Sequence, residues 1–308
     1  MPFLDSHEVA ARLPWPAVID ALDRAVPAAF GDGRFHDRSV IPARGGHLLA
    51  MPAASENAVG VKLVGVGPDN PRHGLPRIQA LYVVFDARHL SPLAVLDGTS
   101  LTTIRTAGQS AAVVRRLAAP DARHLVVFGS GPQARAHVEA LCAVRPVETV
   151  RIVARRPEPV AALCAELGSD RLDVRPGTPD DVSKADVVVC ATTSATPVFD
   201  GRDLGERACV VAVGSHTPDA RELDHAVFTR ASLTLVEHRG TALREAGDII
   251  HAVAAGVLTE DRITDFGDLA ERGAPAVEGI SVYKSVGMGY QDLAVIEEAL
   301  RADVAGRR

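Results

Sequence analysis

Three cations lie in settings where a bare cation is costly. Lys62 interrupts "VGVKLVGV", Arg105 sits in "LTTIRTAGQS", and Arg38 precedes the run "SVIPA". An ammonium surrounded by Val, Leu and Gly needs partners once it is desolvated. Such a group can polarise or protonate a bound substrate, and guanidiniums can clamp a carboxylate. A plainer alternative stands beside each residue. Lys62 can guard an exposed sheet edge against aggregation, Arg105 can pair with a core carboxylate, and Arg38 can be surface. Further along, His216 and Asp219 in "VGSHTPDARELD" follow the apolar run "CVVAVG". Loops at the carboxyl ends of parallel strands face a ligand crevice, although a Pro-Asp turn with its own side-chain cap would look the same.

A second chemistry lies in "VVFGSGPQARAHVEAL", residues 126 to 141, where an apolar strand runs into a glycine turn and a helical stretch. Gly129, Ser130, Gly131, Pro132, Gln133 and Ala134 form a G-x-G-x-x-A turn. The first Gly permits the tight turn, the second admits a pyrophosphate to the backbone, and Ala takes the third place at the helix-strand contact. Free N–H groups at the helix start favour phosphate. The next strand ends "IVARRPE", so Ala154 offers no carboxylate to a ribose 2'-hydroxyl, while Arg155 and Arg156 offer paired cations to a 2'-phosphate. This tip predicts NADP(H), with NAD(H) left open. The competing view is that the arginine pair is solvated surface charge.

Other chemistries find no pattern. There is no H-E-x-x-H or clustered Cys/His spacing for a metal, no G-x-S-x-G elbow and no G-x-x-x-x-G-K-[ST] loop. A net charge of -6 with 23% charged residues leaves no basic field for nucleic acid. Cys142, Cys164, Cys190 and Cys209 lack C-x-x-C spacing and predict four reduced core thiols. The N-terminal stretch lacks a basic start and an apolar h-region, and no run of about 18 apolar residues could span a bilayer. A cytoplasmic protein that binds small molecules, and neither nucleic acid nor membrane, is the expectation.

The elements that would position these residues fall into two lobes. Residues 6 to 31 predict two short helices, with Ser6 capping the first, Pro16 in the first turn of the second and Gly31 to Gly33 ending it. "RSVIPA", "HLLAMPA", "VGVKLVGV" and "QALYVVFDA" alternate as strands of an antiparallel or mixed sheet. A helix follows from Leu101 to Ala118. Thereafter "LVVFG", "TVRIVA", "DVVVCAT", "CVVAVG" and "LTLVE" alternate with helical stretches, including 132–144 and 157–167. Short continuous apolar runs between helices predict a parallel sheet buried on both faces. The fold class is therefore α/β: a Rossmann-type doubly wound domain at 119–281, plus a smaller α+β domain at 1–118 completed by a last helix within 282–308. The stretch 67–77 can be a lid or an ordinary turn.

"GVKLV", "GLP", "LAVLDGTSLTTIRTAGQSA", "VVFGSGPQARAH", "AVGSHTPDARELD", "EAGDI" and "SVYKSVGMGYQDLA" occur in the order seen in the ornithine cyclodeaminase/mu-crystallin family, which the chain resembles over nearly its whole length. The resemblance implies a homodimer whose smaller domain holds substrate and interface. It also implies that Arg38, Lys62 and Arg105 contact substrate, with Arg105 also able to reach cofactor phosphate. Gln133, Thr192, Val213 and Ser285 match cofactor-lining positions, and Glu245 matches a residue near substrate. Ornithine-deaminating members resemble one another in an acid two residues before a Met-Pro pair and an Asp soon after the "VG" strand end. Here Leu49 precedes Met51 and Pro52, His216 holds the later place, and the acid moves to Asp219. That departure is similar to mu-crystallin-type ketimine reductases. The resulting expectation is NADP(H)-dependent reduction of the C=N bond of a small, cyclic imino acid, with Lys62 and Asp219 catalytic. Three rivals are an ornithine or lysine cyclodeaminase recycling NAD, an alanine-dehydrogenase-like enzyme and a non-catalytic NADP-dependent binding protein.

Overall fold

The computed structural model describes residues 1–31, 36–273 and 277–305. Two compact units divide the chain, Met1–Gln109 with Gly287–Arg308 and Ser110–Val286. The first begins with β1 (Phe3–Leu4), α1 (Ser6–Ala11) and α2 (Trp15–Gly31). Asp5, not Ser6, caps α1: its carboxylate accepts from Glu8 N at 2.9 Å while Glu8 reaches back to Asp5 N at 3.1 Å. A carboxylate placed one residue earlier satisfies the free N–H groups and meets the positive end of the helix dipole. Gly33, expected to help end α2, lies outside the described residues.

Strands β2 (Ser39–Ala43), β3 (Gly46–Ala54), β4 (Ala58–Val66), β5 (Ile78–Asp86) and β6 (Pro92–Asp97) follow, then α3 (Gly98–Leu117). The sheet order is β1-β6-β5-β4-β3-β2, with antiparallel neighbours except the parallel pair β1 and β6. The sequence pattern predicts four strands here; β6 is a fifth, and β1 joins its outer side. In β4 burial alternates residue by residue, so Ala58, Gly60, Lys62, Val64 and Val66 share the buried face. Across the sheet Met51, Lys62, Tyr82 and Leu96 stand opposite one another in one row. The stretch after β4 carries a short 3-10 turn at Asn70–His73.

The division between units falls within α3. Just before that division, a Cβ on Gly108 would lie 2.5 Å from Val18 Cγ1, so this Gly lets α3 approach α2 closely. At the C-terminal end of α3, Arg145 Nη2 donates to the carbonyls of Val114, Arg115 and Ala118, each at 2.8 Å, capping the helix.

The second unit runs β7 (His124–Phe128), α4 (Pro132–Cys142), β8 (Thr149–Val153), α5 (Pro157–Leu167), β9 (Asp173–Pro176), β10 (Val187–Cys190), β11 (Cys209–Ala212), α6 (His225–Arg230), β12 (Ala231–Val236), α7 (Arg239–Glu245), α8 (Gly247–Ala254), β13 (Ile263–Asp265), α9 (Phe266–Arg272) and β14 (Ile280–Lys284). All eight strands are parallel, in the order β9-β8-β7-β10-β11-β14-β12-β13. Every residue of β10, β11 and β14 is buried, as a sheet covered on both faces requires. The chain winds to one side of β7 through β8 and β9 and to the other through β10 and β11, placing the topological switch point beside β7. The fold is the α/β, Rossmann-type class the pattern predicted. Of the four free thiols, Cys164, Cys190 and Cys209 are buried, but Cys142 is exposed in the last turn of α4, so it is not a core thiol.

The last helix, α10 (Gly289–Ala305), belongs to the first unit and packs on α2, β3 and β4. Leu293, Val295, Ile296 and Ala299 join Val18, Leu22, Tyr82 and Leu96 in one core. A Cβ on Gly289 would stand 2.5 Å from the Pro52 carbonyl oxygen, so only Gly lets the helix start so close to β3. Among the described residues no helix is long and apolar enough to cross a membrane, and no group of side chains could hold a metal.

Candidate active site

In the first unit Lys62 lies on an interior strand and is 1% exposed. That position rules out the edge-guarding role. Its Nζ donates to Asp292 Oδ1 at 2.8 Å, and Asp292 is fully buried in the first turn of α10. Arg105 brings Nε within 3.4 Å of the same oxygen and donates from Nη1 to Gln291 Oε1 at 2.8 Å. The turn before α10 makes room for that guanidinium, because Gly287 has φ +81° and a Cβ there would lie 2.5 Å from Arg105 Nη1. Arg105 therefore does pair with a core carboxylate, as its plainer alternative proposed, yet the pairing is incomplete. Asp292 Oδ2 and Arg105 Nε are buried without a hydrogen bond.

Burial, the Arg105 charge and a smaller contribution from Arg38 pull the Lys62 pKa down to about 8, with Asp292 opposing them. An ammonium in that range remains protonated at neutral pH and releases its proton readily, which suits a general acid. Arg38, partly exposed just before β2, is thus close enough for its charge to be felt at Lys62. The three predicted cations converge in one unit.

In the second unit Gly129 has φ +121°, and a Cβ there would stand 2.6 Å from the Ala191 carbonyl oxygen. A side chain is excluded on both counts. At Gly131, the N-cap of α4, a Cβ would meet nothing within 4 Å and no side chain caps the helix. Its free N–H groups therefore open onto space that a phosphate can fill. Ser130 and Gln133 are partly exposed and Pro132 exposed, and Gln133 Oε1 is a buried acceptor without a partner. These residues fit a dinucleotide. Gly129 N donates to Val153 O at 2.9 Å, which sets the turn beside the end of β8, where Arg155 and Arg156 are exposed.

Carboxylates staple the loops at the carboxyl ends of β10 and β11. Glu222 Oε1 accepts from Thr192 N and Oγ1, both at 2.7 Å, and its Oε2 accepts from Gly214 N at 2.7 Å and Ser215 N at 3.2 Å. Thr192 and Val213, each partly exposed, sit on the stapled segments. Asp248 Oδ1 accepts from the N–H groups of Glu222 and Leu223, and Oδ2 accepts from Ser215 Oγ at 2.6 Å and Lys284 Nζ at 3.0 Å. Ser285 is buried and donates to Glu237 Oε1 at 2.6 Å. The loop carrying Asp219 wraps α8: a Cβ on Gly247 would lie 2.1 Å from Ala220 O and 2.8 Å from the carbonyl oxygens of Thr217 and Pro218. Asp219 is exposed on that loop and Glu245, partly exposed, ends the preceding helix α7 two residues before Gly247.

The predicted residues thus fall into one cluster of cations in the first unit and one set of loop residues in the second. Asp292, Gln291, Glu222 and Lys284 were not singled out from the sequence. Lys284 carried the same signal as Lys62, a cation inside an apolar strand, in "ISVYKSVG". Asp292 in "GYQDLAVIEEAL" reads as an ordinary acid of a first helical turn; only the fold sets it against Lys62.

Residues 7–301 match the ornithine cyclodeaminase/mu-crystallin family. A Δ1-pyrroline-2-carboxylate reductase from Burkholderia ambifaria is 35% identical over 303 residues, covering 97% of this chain and 95% of that protein. A Δ1-pyrroline-2-carboxylate/Δ1-piperideine-2-carboxylate reductase from Azospirillum brasilense is 34% identical, covering 100% of this chain and 97% of that protein. Among solved structures, the Δ1-pyrroline-2-carboxylate reductase of Thermococcus litoralis, in complex with NADH and L-proline, superposes with a TM-score of 0.91 at 26% identity, over 99% of this chain and 98% of that one. Matches of this length, on a chain that carries both the buried cations and the glycine turn, have one meaning: the chain belongs to the ornithine cyclodeaminase/mu-crystallin family.

Proposed function

We propose that the chain is an NADP(H)-dependent oxidoreductase that reduces the C=N bond of a small cyclic imino acid, such as Δ1-pyrroline-2-carboxylate or Δ1-piperideine-2-carboxylate, to the L-amino acid. The observation that carries this reading is the buried cluster of Lys62, Arg105 and Asp292, whose hydrogen-bonding capacity is only partly used. The substrates named for the relatives, and the L-proline and NADH of the archaeal enzyme, support the same chemistry.

Arg38 and Arg105 orient the substrate carboxylate, and Lys62 gives its proton to the imine nitrogen. Asp219 and Glu245 are the acids assigned to assist the reaction. When bound at the glycine turn, by Gly129, Ser130, Gly131, Pro132 and Gln133, the reduced nicotinamide cofactor supplies the hydride. Thr192, Val213 and Ser285 line its site. Arg155 and Arg156 beside β8 favour the 2'-phosphate of NADP(H), with NAD(H) as the alternative. The first unit holds substrate and forms the interface of a homodimer, a role supported by the edge strand β2, where Val40 and Ile41 are 58% and 51% exposed. The protein acts in the cytoplasm.

The test is loss of absorbance at the reduced-nicotinamide band with NADPH or NADH, each with Δ1-pyrroline-2-carboxylate or with pyruvate plus ammonia. Rapid NADPH oxidation with the cyclic imine alone is expected. Oxidation only with ammonia and the open-chain oxo acid, or ammonia release from ornithine without net redox change, would overturn the reading.

A further inference from the structure

Reduction of a C=N bond takes up one proton per turnover, and the proton donor proposed above is a side chain only 1% exposed. Lys62 therefore needs a route by which it is reprotonated. On the buried face of β4, Lys62, Gly60 and Ala58 project in series, roughly 7 Å apart at two residues per step. Tyr82 stands directly opposite Lys62 on β5, and its ring leans over Gly60: a Cβ on Gly60 would be 2.3 Å from the Tyr82 hydroxyl oxygen. That hydroxyl sits one step from Lys62 towards the β3–β4 turn. At the turn, Ser55 Oγ accepts from Ala58 N at 3.0 Å and donates to Glu297. Glu297 lies five residues beyond Asp292 on α10, so the two carboxylates of one helix stand at opposite ends of the row.

The Tyr82 hydroxyl and Asp292 Oδ2 are both buried without a hydrogen-bond partner, which is costly for two oxygens so placed. Burial, then the charges of Asp292 and Glu297, hold the Tyr82 pKa well above its ordinary value, as expected for a hydroxyl flanked by both acids. It keeps its proton at neutral pH and can pass one along without ionising. Glu297, 16% exposed and 3.6 Å from Arg301, opens onto a groove of about 330 Å³ lined by Ala21, Ala25, Ser55, Glu56 and Leu293.

We propose that Glu297, Tyr82 and Asp292 form a proton path from the groove between α2 and α10 to Lys62. This rests on Lys62 being the proton donor. As hydride reaches the imine carbon, the C=N π pair moves to nitrogen, which takes a proton from Lys62 Nζ. The resulting amine takes a proton through Asp292, Asp292 through the Tyr82 hydroxyl, and Tyr82 through Glu297, which is resupplied by solvent. One proton enters per turnover and every member of the path returns to its starting state. Because the Tyr82 hydroxyl and Asp292 Oδ2 bond to no protein group, the links of that hydroxyl to Asp292 and to Glu297 each run through an ordered water.

Tyr82→Phe removes only the hydroxyl, which bonds to no other protein group, and so should fold as the parent does. With NADPH and Δ1-pyrroline-2-carboxylate, kcat should fall roughly tenfold or more, within the range of general acid catalysis. KM for the imine should stay unchanged, and the solvent deuterium isotope effect on kcat should rise. Glu297→Ala should lose kcat similarly and recover it with added imidazole, a small proton carrier that the groove can admit. An unchanged kcat and isotope effect in Tyr82→Phe, or a Glu297→Ala enzyme that imidazole does not restore, would overturn the path. A crystal structure that resolves ordered water is independent of turnover. A hydrogen-bonded link between Tyr82 and Asp292 Oδ2 supports the path even if the parent protein proves silent with cyclic imines, a silence that would sink the substrate reading instead. A gap with neither contact nor water sinks the path whatever the activity.

Discussion

Two buried lysines, each in the middle of a sheet and each facing an aspartate, differ in how fully they are satisfied. Lys284, at the end of β14, donates to Ser215 O at 2.6 Å and Ser215 Oγ at 2.9 Å and pairs with Asp248 at 3.0 Å. Asp248 uses both oxygens, and Lys284 with the surrounding N–H and hydroxyl donors holds its carboxyl below the usual range despite burial. Lys62 has one hydrogen bond among the described residues, to an aspartate whose second oxygen has none. The first is a saturated staple across loops. The second holds donors and acceptors in reserve, at an energetic cost that structure alone would not favour. Buried charge with spare valence marks chemistry, whereas buried charge with none marks architecture.

The largest effect should come from breaking the unsaturated member. Lys62→Met should lower kcat by roughly 10²- to 10⁴-fold, as loss of a general acid does, with NADPH affinity by fluorescence titration nearly unchanged. In the parent enzyme, imine reduction should decline as pH rises through about 8, where Lys62 loses its proton. A flat profile would remove Lys62 from the proton step. Lys284→Met tests the other side: Asp248 is left buried and uncompensated, a cost of about 3–5 kcal/mol. A shifted urea midpoint is the expected readout, and an unshifted one would end the staple interpretation.

A smaller effect is a titration in the second unit. His137 is fully buried, donates from Nδ1 to Gln133 O and accepts at Nε2 from Ser110, and burial lowers its pKa to about 4. The unfolded chain binds this proton near the ordinary pKa of 6.5 and the folded chain does not. Stability is therefore complete above about 6.5 and falls as pH drops towards 4, by about 3 kcal/mol in all. His137→Leu should flatten that part of the midpoint-versus-pH curve. Smallest is the cofactor tip. Replacing Arg155 and Arg156 by Ser should raise KM for NADPH roughly tenfold, the ~1.5 kcal/mol of a charge-assisted hydrogen bond, and leave KM for NADH alone. Equal effects on both cofactors would sink the 2'-phosphate assignment.

Legibility in the sequence followed the range of the interactions. The glycine turn, the apolar strands of the second unit and the alternation of β4 are local patterns, and each was readable from a dozen residues or fewer. Asp5 was missed as a cap because Ser6, one residue on, has the same chemistry, and β6 because the unbroken apolar run in "PLAVLD" hides its alternation. Asp292 could not be found at all: its role depends on contact with a residue 230 positions away.

Residue type, spacing and hydropathy by themselves determined that a parallel α/β unit follows an alternating sheet, that a glycine turn opens the former, and that Lys62 was out of place in the latter. Tertiary structure decided what being out of place means. Lys62 and Lys284 look alike in sequence because desolvation is a local property of an apolar strand. Which of them keeps unspent hydrogen bonds depends on the partners that the fold delivers from distant segments, and no local pattern encodes that.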